Sequence, residues 1–182
     1  MACAAIHPRI LAKTLFLRAA QNAGFVIPRS HIDEAIDFVE RCYNKEEKRF
    51  MYCIDDWRGT TNRSATAAGI FALSLAGKHN TSMAREAADK MLETRRRYNE
   101  ANSPFEHYQY TMYHSSQAMF QLGGRYWSTY FPPLLKTLAA NQQPDGSWQP
   151  SHTFERFGKP YTVALTVLAL SLPYEMLPIY QR

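Results

Sequence analysis

The chain alternates between segments that are apolar on every side and segments that are apolar on one side only. In residues 64–76 small and apolar side chains leave almost no polar face, which indicates a helix buried all round. In residues 30–43 apolar side chains instead recur at the i, i+3, i+4, i+7 spacing, with acidic residues such as Glu34 and Asp37 between them. That pattern predicts a helix with one side in solvent. The chain is therefore predicted to be all-α.

Seven helices are predicted in this way, at about 9–23, 30–43, 64–76, 82–98, 108–122, 126–141 and 161–172. Ser30, followed three residues later by Asp33, resembles a capping-box start for the second helix. Pro132 and Pro133 are expected near the first turn of the sixth helix, where a missing N–H is tolerated. Residues 44–62 are expected to form a long, irregular connection.

Three glycines divide the chain into repeating units. Gly24, Gly77 and Gly123 each follow an apolar helix, at intervals of about 50 residues, and glycine is the usual residue just past a helix end. Each unit consists of an apolar helix, a short link, an amphipathic helix and a longer loop. Such units cannot bury their apolar helix alone, so they are expected to stack with the apolar helices inside and the charged helices outside. By this reasoning the seventh helix should be buried as well.

A turn with a distinctive spacing, Gln143-x-x-Gly146-x-Trp148, links the sixth and seventh helices. Pro144, Asp145 and Gly146 each favour a turn for a separate backbone reason. An indole N–H needs an acceptor once its ring is buried. We therefore expect a buried Trp148 with its indole near the Gln143 side chain, tying one helix to the next.

This spacing resembles the QW motif of the terpene cyclase and protein prenyltransferase α/α-toroid superfamily. Residues 158–182 are similar to the closing repeat of squalene–hopene cyclase-like proteins that carry prenyltransferase/squalene oxidase repeats. The resemblance implies an α/α toroid, which closes with about six helix pairs. This chain supplies about three pairs and one extra inner helix. It is therefore expected to be a single repeat domain over residues 1–182, an incomplete arc that lacks its N-terminal half or closes by pairing with a second chain.

The resemblance also implies where catalysis would lie. Squalene–hopene cyclases protonate an alkene with an Asp-x-Asp-Asp motif, which requires a protonated carboxylic acid in a dry, aromatic cavity. The adjacent loop carboxylates Asp55 and Asp56 are the candidate catalytic acids. Cys53 stands where the motif has its first Asp, and Trp57 and the residues after it separate the pair from the next helix. The alternative, which we favour, is that both carboxylates belong to a surface turn.

The prenyltransferase branch suggests zinc chemistry, held by an Asp-x-Cys pair and a distant histidine. Here Cys53 precedes Asp55, which reverses that order, and only His114 faintly resembles the histidine segment. We therefore expect His114 to be a hydrogen-bonded residue of an inner helix. We expect no metal site and no cofactor.

Aromatic side chains are concentrated on the fifth helix and just before it. They are expected to be core, or alternatively the wall of a cavity: Phe105, Tyr108, Tyr110, Tyr113 and Phe120.

Composition and charge limit the class of protein and the location that we expect for this chain. The 182 residues are 46% hydrophobic, with a net charge of +5 and basic residues scattered except at Arg95, Arg96 and Arg97. That run suits the last turn of a helix, so no nucleic-acid partner is expected. No apolar stretch reaches the roughly 20 residues that a transmembrane helix needs. Together with three unpatterned cysteines, expected to be reduced, this predicts a cytoplasmic protein with at most peripheral membrane contact.

Two functional hypotheses follow. In the first, the chain is a binding or structural repeat module without catalysis of its own. In the second, it is part of a class II terpene cyclase, squalene–hopene-like, which cyclises a polyprenyl substrate by protonation. The resemblance then implies an apolar isoprenoid ligand. Because the acid motif is incomplete and the zinc ligands are not recognisable, we favour the first hypothesis for this polypeptide.

Overall fold

The computed structural model describes residues 6–54, 62–94, 108–150 and 157–176, with the backbone alone for 6–12. The all-α prediction is confirmed, because the described residues form seven helices and one two-stranded hairpin. The helices are α1 (Ile6–Asn22), α2 (Arg29–Arg41), α3 (Arg63–Leu75), α4 (Ser82–Glu93), α5 (Tyr108–Leu122), α6 (Gly124–Ala140) and α7 (Gly158–Ser171), and the strands are β1 (Tyr43–Asn44) and β2 (Arg49–Phe50). A short 3-10 turn, Leu172–Tyr174, follows α7. The run Arg95–Arg97 and the tail 177–182 lie outside the described residues.

The odd-numbered helices α1, α3, α5 and α7 form a row, which we call the inner row. Helix α1 packs against α3, α3 against α5, and α5 against α7. The amphipathic helices accompany this row: α2 contacts α1 and α3, α4 contacts α3 and α6, and α6 contacts α5. Helix α3 is buried along almost its whole length, as its apolar sequence predicts. Closure of such a row into a toroid stays a prediction.

The glycine stops behave as predicted. Gly24, Gly77 and Gly123 all have positive φ, the backbone region that glycine enters at least cost. After α1, the N–H of Phe25 donates to the carbonyl of Ala20, and the N–H of Gly24 donates to that of Gln21. The same pair of bonds recurs after α3. This is the Schellman arrangement, which satisfies carbonyls that the helix leaves without donors.

The predicted capping box at Ser30 is wrong. Helix α2 begins at Arg29, directly after Pro28, and no side chain caps it. Asp33 instead accepts a hydrogen bond from Nε of Arg29 at 3.0 Å, an ordinary exposed i, i+4 pair. Proline fixes the φ needed to enter a helix, so the start does not depend on a capping side chain.

The two prolines of α6 lie deeper in the helix than predicted. Because α6 begins at Gly124, Pro132 and Pro133 fall in its middle. Neither can donate to the carbonyl four residues earlier, so the helix loses two backbone hydrogen bonds. Four side chains on one face compensate by packing into the core: Tyr126, Tyr130, Leu134 and Leu138.

The connection after α2 is more regular than predicted. Strands β1 and β2 pair antiparallel, and Oδ1 of Asn44 accepts the backbone N–H groups of Glu46 and Glu47 to form the turn. The hairpin delivers Phe50, which is fully buried, to the side of α3. There the N–H of Phe50 donates to Oγ1 of Thr66 at 3.2 Å.

Gly69 makes this approach feasible. A Cβ at Gly69 would lie 2.5 Å from Cγ of Phe50, closer than atoms pack. The glycine in the middle of α3 therefore accommodates the Phe50 ring. The neighbour at this position of α3 is thus an aromatic ring from the hairpin.

Helix α7 is less buried than predicted. Only Thr162, Thr166 and Ala169 are buried along it, whereas Val167 is 51% exposed. The reason lies in its position, because α7 ends the described row of odd-numbered helices, where it packs against α5. Its buried face is thus small and hydroxylated while part of its apolar surface meets solvent.

Among the described residues, no helix combines the length and the apolar character that crossing a membrane requires.

We predict that Gly69→Ala destabilises the protein although alanine favours helices by about 1 kcal/mol over glycine. The new methyl group meets the Phe50 ring, and overpacking of a core typically costs about 1–3 kcal/mol. Urea unfolding of the purified variant measures the difference. In a Phe50→Ala background the ring is gone, so Gly69→Ala should become neutral or stabilising. A stabilising effect of Gly69→Ala in the wild-type background would contradict the packing argument.

Candidate functional site

The candidate acids Asp55 and Asp56 lie outside the described residues, as does Trp57. Their described neighbour Cys53 is buried and disulfide-bonded, whereas Cys42 is a buried free thiol. The expectation that the thiols are reduced is therefore wrong for Cys53. A sulfur held in a disulfide has no thiolate to offer zinc, so the structure gives no support to Cys53 as a metal ligand. In the part of the chain that the structure describes, no three metal-ligating side chains come together.

His114 lies on α5 and is buried, as predicted. Its Nδ1 is 3.1 Å from Oε1 of Gln117, and Nε2 of Gln117 donates to the hydroxyl of Tyr113 at 3.0 Å. An amide oxygen can only accept, so Nδ1 carries the proton. The rings of Tyr110 and Tyr113 pack against the imidazole. His114 is therefore a hydrogen-bonded residue of the inner row.

The segment Gln143–Trp148 forms the predicted turn. The N–H of Gly146 donates to the carbonyl of Gln143 at 2.9 Å, and the N–H of Gln143 donates to the carbonyl of Ser147 at 2.8 Å. Gly146 has a φ of 81°, in the left-handed region where glycine is favoured. The two helices on either side of this turn are α6 and α7.

Asp145 holds the turn together electrostatically. Its Oδ1 accepts from the hydroxyl and the N–H of Ser147, and its Oδ2 accepts from Nζ of Lys159 on α7 at 3.1 Å. These bonds, with the Ser147 hydroxyl first, lower the pKa of Asp145 to about 2. Because the folded pKa is depressed, this contribution to stability is present above the ordinary pKa of Asp and is lost as the pH falls toward about 2.

Trp148 is 8% exposed, so its predicted burial is confirmed. Its Nε1–H donates to the backbone carbonyl of Leu138, on α6, at 2.8 Å. The Gln143 side chain donates instead to the carbonyl of Asn141 at 3.3 Å. The indole thus joins the turn to the last part of α6, through a backbone acceptor and not through the glutamine that the motif suggests.

A cavity of about 190 Å³ lies beneath this turn. Its wall combines side chains from α5, α6 and α7 with the turn itself. The lining residues are Tyr108, Gln109, Thr137, Leu138, Asn141, Gln143, Trp148, Gln149, Thr162 and Thr166. Among the described lining residues Tyr108 is the one that can ionise, and burial raises its pKa, so it stays neutral. The described part of the cavity wall therefore carries polar groups but no formal charge.

Three of the lining side chains have an oxygen without a hydrogen-bond partner. These are the hydroxyl of Tyr108, Oε1 of Gln109 and Oγ1 of Thr162, and the side chains are between 0 and 6% exposed. The amide of Gln109 is oriented by its Nε2, which donates to the carbonyl of Gln149 at 3.3 Å. Buried polar groups are nearly always paired, because an unpaired one costs about 1–3 kcal/mol. Three such side chains among the residues that line one cavity mark this place as the candidate functional site.

Sequence reasoning singled out Trp148, Gln143 and Tyr108 but missed Gln109 and Thr162. A signal was available: Thr162 and Thr166 are polar residues one helical turn apart in an otherwise apolar helix. Among the aromatic residues predicted as core or cavity wall, Tyr108 is both buried and part of the cavity lining. Phe120 is buried, whereas Phe105 lies outside the described residues.

Comparisons with models of protein families, with curated proteins and with solved structures find no match to this chain.

We predict that Trp148→Ala lowers the free energy of unfolding by about 3–5 kcal/mol, the usual cost of truncating a buried aromatic side chain. Trp148→Phe keeps a ring but leaves the Leu138 carbonyl without the indole donor. Loss of that hydrogen bond alone should lower the free energy of unfolding by about 0.5–1.5 kcal/mol. Denaturant unfolding measures both.

The matched control is Gln143→Ala, which removes only an exposed hydrogen bond and should cost less than about 0.5 kcal/mol. If Gln143→Ala proves as damaging as Trp148→Phe, the glutamine and not the Leu138 carbonyl is the important partner of the turn.

Proposed function

We propose that this chain is a helical-repeat module without catalysis of its own, and that it assembles with a second copy through the ends of its inner row. The observation that carries the proposal is the exposed apolar surface of α7. Val167 on this helix is 51% exposed, and Phe157 just before the helix is 47% exposed. At the other end of the row, Phe16 of α1 is 70% exposed.

The packing of the inner row supports a helix as the missing neighbour. Helices α3 and α5 each have another inner helix on two sides, and both are largely buried. Helices α1 and α7 each have one inner neighbour in the row. An end helix of a second copy offers the same apolar surface that α3 and α5 offer within the chain. Exposed apolar surface of this kind is typical of an interaction site.

The resemblance to α/α toroids fits this proposal, because an incomplete arc needs further repeats or another chain to close. A second copy covers both ends of the row, since it brings the same exposed surfaces of α1 and α7 described above.

The alternative function, part of a class II terpene cyclase acting on a polyprenyl substrate, finds less support. Carbocation chemistry needs a chamber that excludes water and presents apolar and aromatic walls. The cavity beneath the Gln143–Trp148 turn is lined largely by amide and hydroxyl side chains. An isoprenoid hydrocarbon could not pair the oxygens of Tyr108, Gln109 and Thr162 that lack a partner within the protein.

We expect light scattering after size-exclusion chromatography to show self-association of the purified chain at micromolar concentration. Replacing both Phe16 and Val167 with lysine should shift the protein to a monomer, because a desolvated ammonium group opposes burial at the interface. Leu135→Lys is the matched control: Leu135 is 46% exposed but lies on α6, outside the inner row. A wild-type chain that stays monomeric, or a control that dissociates equally, would contradict assembly through the row ends.

We also expect no turnover of squalene by this chain, because the Asp-x-Asp-Asp motif that supplies the proton is incomplete: Cys53 stands where the motif has its first Asp. The assay incubates the protein with squalene and searches for hopanoid products by mass spectrometry. Products that disappear in Asp55→Asn or Asp56→Asn would establish the cyclase function in place of the module.

A further inference from the structure

The cavity beneath the Gln143–Trp148 turn has the properties of a small-molecule site. It lies where three helices and a turn meet, and it has both apolar and hydrogen-bonding walls. Ligand sites are typically concave, with a few convergent polar groups on an otherwise apolar lining. Tyr108 and Gln109 on α5 and Thr162 on α7 line the cavity, and each holds an unpaired oxygen that is buried just behind the wall.

We propose that this cavity binds a neutral, polyhydroxylated molecule of at most monosaccharide size. The proposal does not depend on self-association, since the lining residues all belong to one chain.

The hydrogen-bonding capacity of the wall defines the functional groups of the ligand. Oε1 of Gln109 can only accept, so the ligand must bring at least one donor. The hydroxyls of Tyr108 and Thr162 can each donate or accept, so they suit ligand groups that do the same. Hydroxyl groups meet all three demands, whereas a carboxylate could only accept. Several hydroxyl groups on a small frame therefore fit the wall best.

The described lining residues carry no formal charge, and this selects against ions. A charged ligand would lose hydration on entry without meeting an opposite charge among these described residues, and that loss is large. The rings of Tyr108 and Trp148 offer apolar surface for the C–H groups of a sugar or polyol. The lining therefore favours a ligand that is neutral and amphipathic.

The volume limits the size of the ligand. A cavity of about 150 Å³ lined by apolar side chains can hold benzene. The cavity here, at about 190 Å³, is somewhat larger, so a six-membered ring carrying hydroxyl groups approaches its limit.

Binding should also require a small movement of the side chains. Each unpaired oxygen exposes less than 1 Å² in the present geometry, so a ligand reaches it only after the side chain turns toward the cavity. The hydroxyl of Thr162 has no hydrogen bond to lose in such a movement.

Two isosteric substitutions test the site. Thr162→Val and Tyr108→Phe each remove one unpaired hydroxyl and almost no volume. Both should raise the melting temperature of the unliganded protein, because an uncompensated buried polar group disappears. Both should weaken the binding of glucose about three- to tenfold, the usual effect of one lost hydrogen bond. Isothermal titration calorimetry and thermal melts give the two readouts.

Thr166→Val is the matched control. Thr166 lines the same cavity on the same helix, but its hydroxyl already donates to the carbonyl of Thr162 at 2.9 Å. This variant should not raise the melting temperature, and its affinity for glucose should stay within about threefold of wild type. A rise in stability coupled to a loss of affinity is therefore expected only where the hydroxyl is unpaired.

Three small molecules that share a six-membered ring test the ligand class. Glucose should bind, whereas glucuronate, which adds a charge, and cyclohexanol, which retains a single hydroxyl, should bind at least about tenfold more weakly. Equal binding of glucuronate or cyclohexanol would overturn the ligand class. If glucose does not bind and Thr162→Val lowers the melting temperature, the cavity holds ordered water that satisfies the hydroxyl, and the proposal is wrong.

Discussion

The fold depends on one constraint: α3 has no side that tolerates water. Twelve of its residues are buried, from Arg63 to Leu75 with only Ser64 less covered, so every direction around the helix must be filled by protein. Helices α1 and α5 cover it within the inner row, α2 and α4 cover it from the outer helices, and the hairpin adds the Phe50 ring. Burial of apolar surface contributes about 25 cal/mol per Å², so this single helix organises much of the chain around itself.

The same constraint explains which features of the fold could be predicted from sequence. The helix pattern, the glycine stops and the inner position of α3 follow from side-chain periodicity and from the backbone freedom of glycine, both of which are local properties. The hairpin and the burial of α7 could not be obtained that way. Whether Val167 is covered depends on what lies beyond α7, and no periodicity within a helix reports on its neighbours. Similarly, Asn44 forms a turn through its own side chain, but only the tertiary position of α3 explains why Phe50 is then buried.

The candidate site was only partly predictable. The turn chemistry of Pro144, Asp145 and Gly146 correctly indicated a fixed junction, and the amphipathic indole of Trp148 correctly indicated burial at that junction. The acceptor of the indole is a backbone carbonyl, however, and every residue has one, so the sequence cannot distinguish Leu138 from its neighbours. The unpaired oxygens of Gln109 and Thr162 are likewise invisible in sequence, because pairing depends on which groups face each other across helices.

The two adjacent prolines give α6 an internal boundary. The part before them is fixed to the core by Tyr126 and Tyr130, and the part after them is fixed by Leu134 and Leu138 and leads into the Gln143–Trp148 turn. Because two backbone hydrogen bonds are missing between them, these parts need not unfold together. Hydrogen exchange of the amides in each part can then report a separate free energy of local unfolding. The share of the cavity wall that α6 contributes therefore lies entirely in the part of the helix after the prolines.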